Sequence, residues 1–338
     1  MSAVSPQVDP GLPGAVRALI GQPRYARAGD ETVTAAAVHA LCAAVRDANP
    51  LWWDDAVARE LAGAAVAPVT MLSTWSRPGL WSPAPGAAPR ALELHHDLKT
   101  LLGYPVAIVS AIEAEFHAPV RLGDRVYSEQ RLCEVSAEKD THLGRGRFWQ
   151  IAVQYRNARG ELLGVEHYEC LGYRRAAAAA PRVHPAATTP AATQSVLEPL
   201  RCAIDHTLVV AGAFATRDYS PLHHDPVYAR EQAGHRDVFL NTPTQMALIE
   251  RFIGERLGSG GRIGRLRSRM SAPVYAGGTI VIEGSIVAVR VDGRGCEWAE
   301  VEMSIRTEQR VATRCVAQVA LAGGDEPPWR RRAGEWQP

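Results

Sequence analysis

The chain has 338 residues, of which 46% are hydrophobic and 22% are charged, a balance typical of a globular protein with room for two domains. Its formal net charge is +1, from 37 basic and 36 acidic residues. The whole chain therefore offers no electrostatic reason to bind nucleic acid or an anionic membrane.

Cysteine usage predicts reduced thiols. The six cysteines are scattered singly without a C-x-x-C pair, and no histidine cluster has zinc-ligand spacing, so we expect neither a metal nor another cofactor. The first ten residues lack the basic and apolar regions of a signal peptide, and no apolar run reaches membrane length. We therefore expect a cytoplasmic protein.

The first elements along the chain predict a domain over residues 15–175. A turn-rich segment at 46–54 is followed by residues 75–89, whose Trp, Pro and Gly content predicts a long loop. Three β-type segments come next. They are residues 125–135, 148–155 and 162–173.

A stretch rich in Ala, Pro and Thr follows at 176–196, and this composition is typical of a semi-extended linker. The second domain is then predicted at 197–323. Residues 324–338, which include three consecutive arginines, are expected to form a flexible tail.

The second domain contains one long predicted helix and three predicted strands. Apolar residues recur at helical spacing, Pro243 suits the first turn, and a glycine-rich run from Gly258 ends the helix. The apolar positions are Met246, Ile249, Phe252, Ile253 and Leu257. The predicted strands are residues 279–289, 298–306 and 311–321. This order predicts an α+β architecture, with an antiparallel sheet packed on a helix.

The two domains are copies of each other. Residues 46–63 and 217–234 share the pattern R-D-x-[NS]-P-L-x-x-D-x-x-x-A-R-E-x-A-G at a constant offset of 171 (218 − 47). A second pair of motifs, around Pro119 and Pro273, has an offset of 154 (273 − 119), so the first copy carries extra residues in its 75–89 loop. We expect the copies to pack side by side as a pseudo-dimer, because open sheet edges need cover. The first copy should then wall a pocket of the second, with the 75–89 loop near its mouth.

These motifs resemble those of the MaoC-type (R)-specific enoyl-thioester hydratases. The resemblance covers D-x-[NS]-P-L-H-x-D, A-x-x-x-x-G and P-V-x-x-G-[DG]-T, at residues 216–234 and 272–280. It implies a tandem double hot dog, each half an antiparallel sheet wrapped on a long central helix, with a degenerate N-terminal half. It also implies a hydro-lyase that acts on α,β-unsaturated or β-hydroxyacyl thioesters of CoA or an acyl-carrier protein.

Asp218 and His223 are the predicted catalytic residues. Adding or removing water needs two proton movements on one face of the substrate, and two titrating side chains five residues apart across a turn can share one cavity. The resemblance implies that His223 takes the α-proton in dehydration while Asp218 protonates the leaving hydroxyl. The first copy keeps Asp47 but has Trp52 where His223 stands, and an indole cannot exchange a proton near neutral pH. One active site per chain is therefore expected.

Other residues are assigned supporting roles. The resemblance places the backbone N–H of Thr242, at a helix N-terminus, on the developing enolate charge, although the family usually has Gly there. Ser220 and Asn241 are expected to support the catalytic pair. Three arginines that alternate along a predicted strand could bind a substrate phosphate or form a solvated face. They are Arg265, Arg267 and Arg269.

Two other functions fit parts of the sequence. A hot-dog thioesterase would need an acid on the long helix, where Glu250 is the only one on the first three turns. A non-catalytic acyl-thioester binding partner would resemble the first copy. The sequence leaves open whether the acyl group is short, steroidal or a polyketide intermediate, which direction runs, and whether the pseudo-dimers form a homodimer.

Overall fold

A computed structural model describes residues 9, 11–83, 90–175, 195–323, 326–331 and 336. Seven α-helices lie in this part of the chain: α1 Gly14–Arg17, α2 Ala35–Val45, α3 Pro50–Trp53, α4 Asp55–Ala62, α5 Glu93–Leu101, α6 His206–Ala215 and α7 Thr242–Leu257. Three 3₁₀ helices are Val69–Ser76, Pro221–His223 and Pro328–Arg330, and Tyr228–Gln232 forms one π-helical turn.

The strands build one antiparallel sheet. They are β1 Pro23–Ala28, β2 Val106–Phe116, β3 Val126–Val135, β4 Lys139–Thr141, β5 Gly144–Asn157, β6 Leu162–Arg175, β7 Ser195–Ile204, β8 Arg262–Met270, β9 Gly278–Val291, β10 Glu297–Thr307 and β11 Val311–Ala320. Their order is β1-β3-β5-β6-β2-β8-β11-β10-β9-β7, and β4 pairs with β5. The six strands predicted within the two copies are confirmed.

The two halves share this sheet through the pairing of β2 with β8. Ala111 faces Arg269, Glu113 faces Arg267 and Glu115 faces Arg265 across the ladder. The pseudo-dimer predicted from the repeat is therefore present, since each half covers the open edge of the other.

The second half follows the predicted plan of a sheet around a long helix. Helix α7 has 16 residues, and its N-cap Asn241 accepts a hydrogen bond from the Thr244 N–H. Its first turns are buried against the sheet and α6. Gly258, with a φ of 93°, ends the helix in a conformation that favours glycine.

In the first half the central helix is present but divided in two. Its first part is the buried 3₁₀ helix Val69–Ser76, the counterpart of the start of α7. Its second part is α5, which packs on the sheet and directly precedes β2 as α7 directly precedes β8. The first part is rich in β-branched, Ser and Thr residues of low helix propensity, and Pro78 lies two residues after it, so a continuous α-helix is not expected there.

The C-terminal tail is anchored at its described residues, so the expectation of a flexible tail was wrong there. Trp329 and Trp336 are each only 2% exposed. The Trp329 indole donates to the Gly261 carbonyl, and the Trp336 indole donates to the Phe116 carbonyl of the first half. The predicted linker lies outside the described residues except for its last two positions, 195 and 196, which belong to β7.

None of the described helices combines the length and the apolar character needed to cross a membrane.

Candidate active site

The position of Asp218 is set by the C-terminal end of a helix, and the first half has a helix end of the same geometry. Helix α6 ends at Ala215, the chain turns at Arg217, whose φ is 52°, and the Asp218 N–H then donates to the Ala213 carbonyl at 2.8 Å. In the first half, Arg46 has a φ of 56° and the Asp47 N–H donates to Cys42 in the same way. This helix-terminating bond pattern brings the aspartate back under the end of its helix.

Asn241 holds the Asp218 carboxylate in place. Its side-chain amide donates to Asp218 Oδ2 at 3.1 Å and to Thr216 Oγ1 at 2.8 Å. The Ser220 N–H faces Asp218 Oδ1 at 3.4 Å, so Ser220 supports the carboxylate through its backbone. The structure therefore brings both predicted supporting residues to Asp218.

His223 lies beside the same carboxylate. Its Nε2 is 3.6 Å from Asp218 Oδ2, and its Nδ1 is 2.8 Å from the Phe239 carbonyl oxygen. Because a carbonyl can only accept, Nδ1 carries the proton and Nε2 of the neutral ring presents a lone pair toward Asp218. The neighbouring His224 contacts the Tyr219 carbonyl at 3.2 Å instead.

Arg77, which was not predicted from the sequence, is the third ionisable group of the site beside Asp218 and His223. It belongs to the first half, and its guanidinium nitrogen is 3.7 Å from Asp218 Oδ2. One signal could have found it, since Arg77 is the only charged residue of the loop at 75–89. Because the loop has no acidic residue and the Arg77 side chain is only 13% exposed, its counter-ion must come from another part of the fold.

The electrostatics of the site favour a charged Asp218 and a neutral His223. Burial would raise the pKa of Asp218, but Arg77, His223 and the Asn241 amide together hold that pKa below its usual range. Burial lowers the pKa of His223, and this outweighs the attraction of Asp218. At neutral pH the pair therefore holds a carboxylate and an unprotonated Nε2, two groups that can both accept a proton.

A cavity of about 230 Å³ opens beside Asp218. Thr242 and Pro243, at the N-terminus of α7, line it on the second-half side. Residues of the first half form most of the remaining wall. Thr242 is the first helical residue, whose N–H has no partner within the helix. The predicted oxyanion donor thus lies at the same cavity as the predicted catalytic carboxylate.

The first half carries a counterpart of this site in which a tryptophan stands in place of the histidine. The Trp52 indole donates to Asp47 Oδ2 at 2.9 Å, in the place of the histidine contact. Trp329 of the tail packs edge-on against Trp52, with ring centroids 5.6 Å apart. A tryptophan pair therefore fills the position where the second half has a titrating side chain.

In the first half, the Glu250 carboxylate occupies the segment that corresponds to the N-terminus of α7. The Ala67 N–H bonds to Val120 as the Leu240 N–H bonds to Val274, so Val69 is the structural equivalent of Thr242. Glu250 accepts the Val69 N–H at 2.9 Å and the Thr70 hydroxyl at 2.6 Å. The carboxylate thus occupies the backbone donors that face the cavity in the second half. It is buried among these donors, which argues against the thioesterase role that Glu250 would have to carry.

The three arginines of β8 do not lie at the cavity. Arg265 pairs with Glu113 and Glu115, and Arg267 and Arg269 pair with Glu113 and Glu169. Strand spacing places them on one face as predicted, but carboxylates of the first half balance their charge. This pairing removes the reason for assigning substrate phosphate to them, and it joins the two halves.

Comparisons with known proteins agree with this architecture. A family model described as "FAS1-like, dehydratase domain region" matches residues 18–164. Two solved structures cover most of the chain: a MaoC-like dehydratase (19% identity, 91% of this chain, 100% of that chain, TM-score 0.69) and a conserved hypothetical protein from Mycobacterium tuberculosis with a double hot dog fold (14%, 89%, 96%, TM-score 0.61). They show that the fold is a double hot dog.

Two curated relatives are similar in sequence. A probable enoyl-CoA hydratase alpha subunit of Thermomonospora curvata is 30% identical over 159 residues, which are 46% of this chain and 48% of that protein, so the match spans about half of its length. The 3-oxo-4,17-pregnadiene-20-carboxyl-CoA hydratase beta subunit of Mycobacterium tuberculosis is 35% identical over 95 residues, which are 28% of this chain and 73% of that protein. The chain therefore belongs to the MaoC-like hydratase family, a family of hydro-lyases.

Proposed function

We propose that this chain catalyses the (R)-specific addition of water to an α,β-unsaturated acyl thioester, or its reverse, with Asp218 and His223 as the acid–base pair. The observation that carries the proposal is the 3.6 Å separation of Asp218 Oδ2 and His223 Nε2. That distance is too long for a good direct hydrogen bond, and it suits two acceptors that share one water or substrate hydroxyl. The (R) configuration follows from the family resemblance, and the names of both relatives favour CoA as the carrier.

The proposed proton transfers start from a charged Asp218 and a neutral His223 and restore both states. In hydration, water attacks the β-carbon and gives a proton to the Asp218 carboxylate. Asp218 passes this proton to Nε2 of His223, which delivers it to the α-carbon. In dehydration His223 takes the α-proton, and Asp218 returns it to the leaving hydroxyl. Both groups end each turnover as they began.

The thioester carbonyl becomes an enolate oxygen between these steps. A helix N-terminus that is already in place stabilises such charge without reorganisation. The N–H of Thr242 is the donor that we assign to this role, and Glu250 on the equivalent donors of the first half explains why that half lacks a second site.

Turnover of wild-type protein on crotonyl-CoA tests the proposal. We expect loss of the conjugated double bond with formation of 3-hydroxybutyryl-CoA and no release of free CoA thiol. Release of the thiol would identify a thioesterase instead. Binding of crotonyl-CoA without turnover, in protein with an intact fold, would favour a non-catalytic partner.

Replacing Arg77 with Gln should move the acid limb of kcat/KM to higher pH. The Arg77 charge lowers the pKa values of both Asp218 and His223, so its loss raises both. His223 must be neutral to accept a proton, and in the variant it becomes protonated at a higher pH than in the wild type. We expect the acid limb to move by roughly one pH unit. This is the lower end of the pKa change produced by a charge within about 4–6 Å.

The measurement is kcat/KM from pH 5 to 9 for the two proteins, with Arg156→Gln as a control at an exposed arginine that donates to the Gly160 carbonyl and does not line the cavity. The control should keep the wild-type profile. An unchanged limb in Arg77→Gln, or one that moves to lower pH, would remove Arg77 from the account.

A further inference from the structure

Most of the side chains that line the cavity beside Asp218 are polar or charged, alongside apolar ones such as Val109 and Val153. Small-molecule sites are lined mostly by apolar side chains with few polar groups. Here the first-half wall includes the half-buried Tyr168 and four buried polar or amphipathic side chains: Gln130, Tyr155, His95 and Ser128. An alkyl chain placed against them would cover polar groups without giving them a hydrogen bond in return.

Two tyrosine hydroxyls form a fixed part of this wall. Tyr155 and Tyr168 both donate to Glu166 Oε2, the first at 2.8 Å, and Glu166 is only 1% exposed. The Arg77 charge acts to lower the pKa of Glu166 as well as that of Asp218, so Arg77 couples the two carboxylates electrostatically. Because each hydroxyl hydrogen is engaged by Glu166, the tyrosine oxygens meet the cavity as hydrogen-bond acceptors.

One further side chain keeps spare hydrogen-bonding capacity. Gln130 accepts the Leu94 N–H at 3.1 Å and gives one amide hydrogen to Glu93, which leaves its second amide hydrogen to donate. Buried polar atoms of this kind are normally satisfied by a ligand, water or protein. The wall therefore offers both acceptors and a donor.

The charges at the wall are balanced within the protein. Arg27 forms an ion pair with Glu93, and Arg77 faces Asp218 and Glu166. Arg90 also lines the cavity but is exposed. A buried carboxylate on the substrate would thus meet no unmatched cation at the deep wall. An uncharged oxygen, as hydroxyl or oxo group, matches the spare donor and acceptors.

We infer that the substrates are short enoyl thioesters whose acyl chain carries a hydroxyl or oxo oxygen beyond the double bond. This inference rests on the proposed function and specifies its substrate class. The inferred substrate differs from the pregnadiene carboxyl-CoA in the name of the Mycobacterium tuberculosis relative. A cavity of about 230 Å³ with this wall suits a small polar group. Plain alkyl enoyl thioesters are poor substrates on this account.

The test is a set of CoA thioesters of equal length. We compare trans-2-hexenoyl-CoA with its 5-hydroxy and 5-oxo derivatives and with the analogue that ends in a carboxylate. We expect kcat/KM to be at least about tenfold higher for the hydroxy or oxo substrate than for the alkyl one, as one well-placed hydrogen bond provides. Equal values, or a preference for the alkyl or carboxylate substrate, would overturn the inference while hydration itself stands. Absence of hydration with every thioester would instead overturn the proposed function, and this inference with it.

A matched pair of variants checks the wall directly. Tyr168→Phe removes one acceptor oxygen from the cavity and should bring the preference for the oxygenated substrate down toward parity. Tyr127→Phe makes the same change at a tyrosine that is 41% exposed and does not line this cavity, and it should keep the wild-type preference. A wild-type preference in folded Tyr168→Phe would contradict the assignment of that wall.

Discussion

His223→Ala is expected to lower kcat by at least about 100-fold in protein that folds normally, as removal of a positioned proton carrier does. The Nε2 lone pair is the group proposed to move the α-proton, and the neighbouring His224 contacts the Tyr219 carbonyl instead. The measurement is steady-state turnover of an enoyl-CoA together with a thermal melt, so that lost activity is separated from lost structure.

His224→Ala is the matched control for this prediction. It removes a neighbouring histidine of the same turn and should leave most of the activity. If His224→Ala were inactive and His223→Ala retained near wild-type turnover, the proton carrier would be the other histidine.

Asp218→Asn should abolish turnover, whereas Asp47→Asn should leave the chemical step nearly intact. Asn keeps the shape of the side chain but cannot take the proton from water, so the first change removes one half of the acid–base pair. Asp47 has no such partner, because it accepts hydrogen bonds from the Trp52 indole and the Asn49 N–H.

The environments of the two aspartates support this difference. Burial raises the pKa of Asp47, while Arg77 and its other neighbours hold the pKa of Asp218 low despite its burial. The comparison needs kcat for both variants on one substrate, with circular dichroism to confirm the fold. Loss of turnover in both folded variants would show that the first half has a chemical role.

Much of the fold could be predicted because the repeat supplied an internal comparison. The six predicted strands agree with the structure to within a few residues, since alternating burial leaves a period-two pattern. Strand β2 and helix α6 were not predicted. Both are short apolar runs, and such runs do not separate a buried helix from a central strand.

The residues of the proposed acid–base pair could be selected from the sequence, whereas most of the residues around them could not. Asp218, His223 and Asn241 lie within 24 residues and belong to one local motif. Arg77 and Glu250 could not be placed, because each meets its partner across the interface of the halves. The short 3₁₀ helix of the first half also depends on that interface, where Glu250 holds its first N–H groups.

The most direct test of the account is the configuration of the product that wild-type protein forms from a trans-2-enoyl-CoA. The Asp218 and His223 pair, acting on one face of the substrate beside the N-terminus of α7, is expected to yield the (R)-3-hydroxyacyl-CoA. Chiral chromatography of the released 3-hydroxy acid measures this outcome. Formation of the (S) product, or of a racemic mixture, would contradict the proposed arrangement.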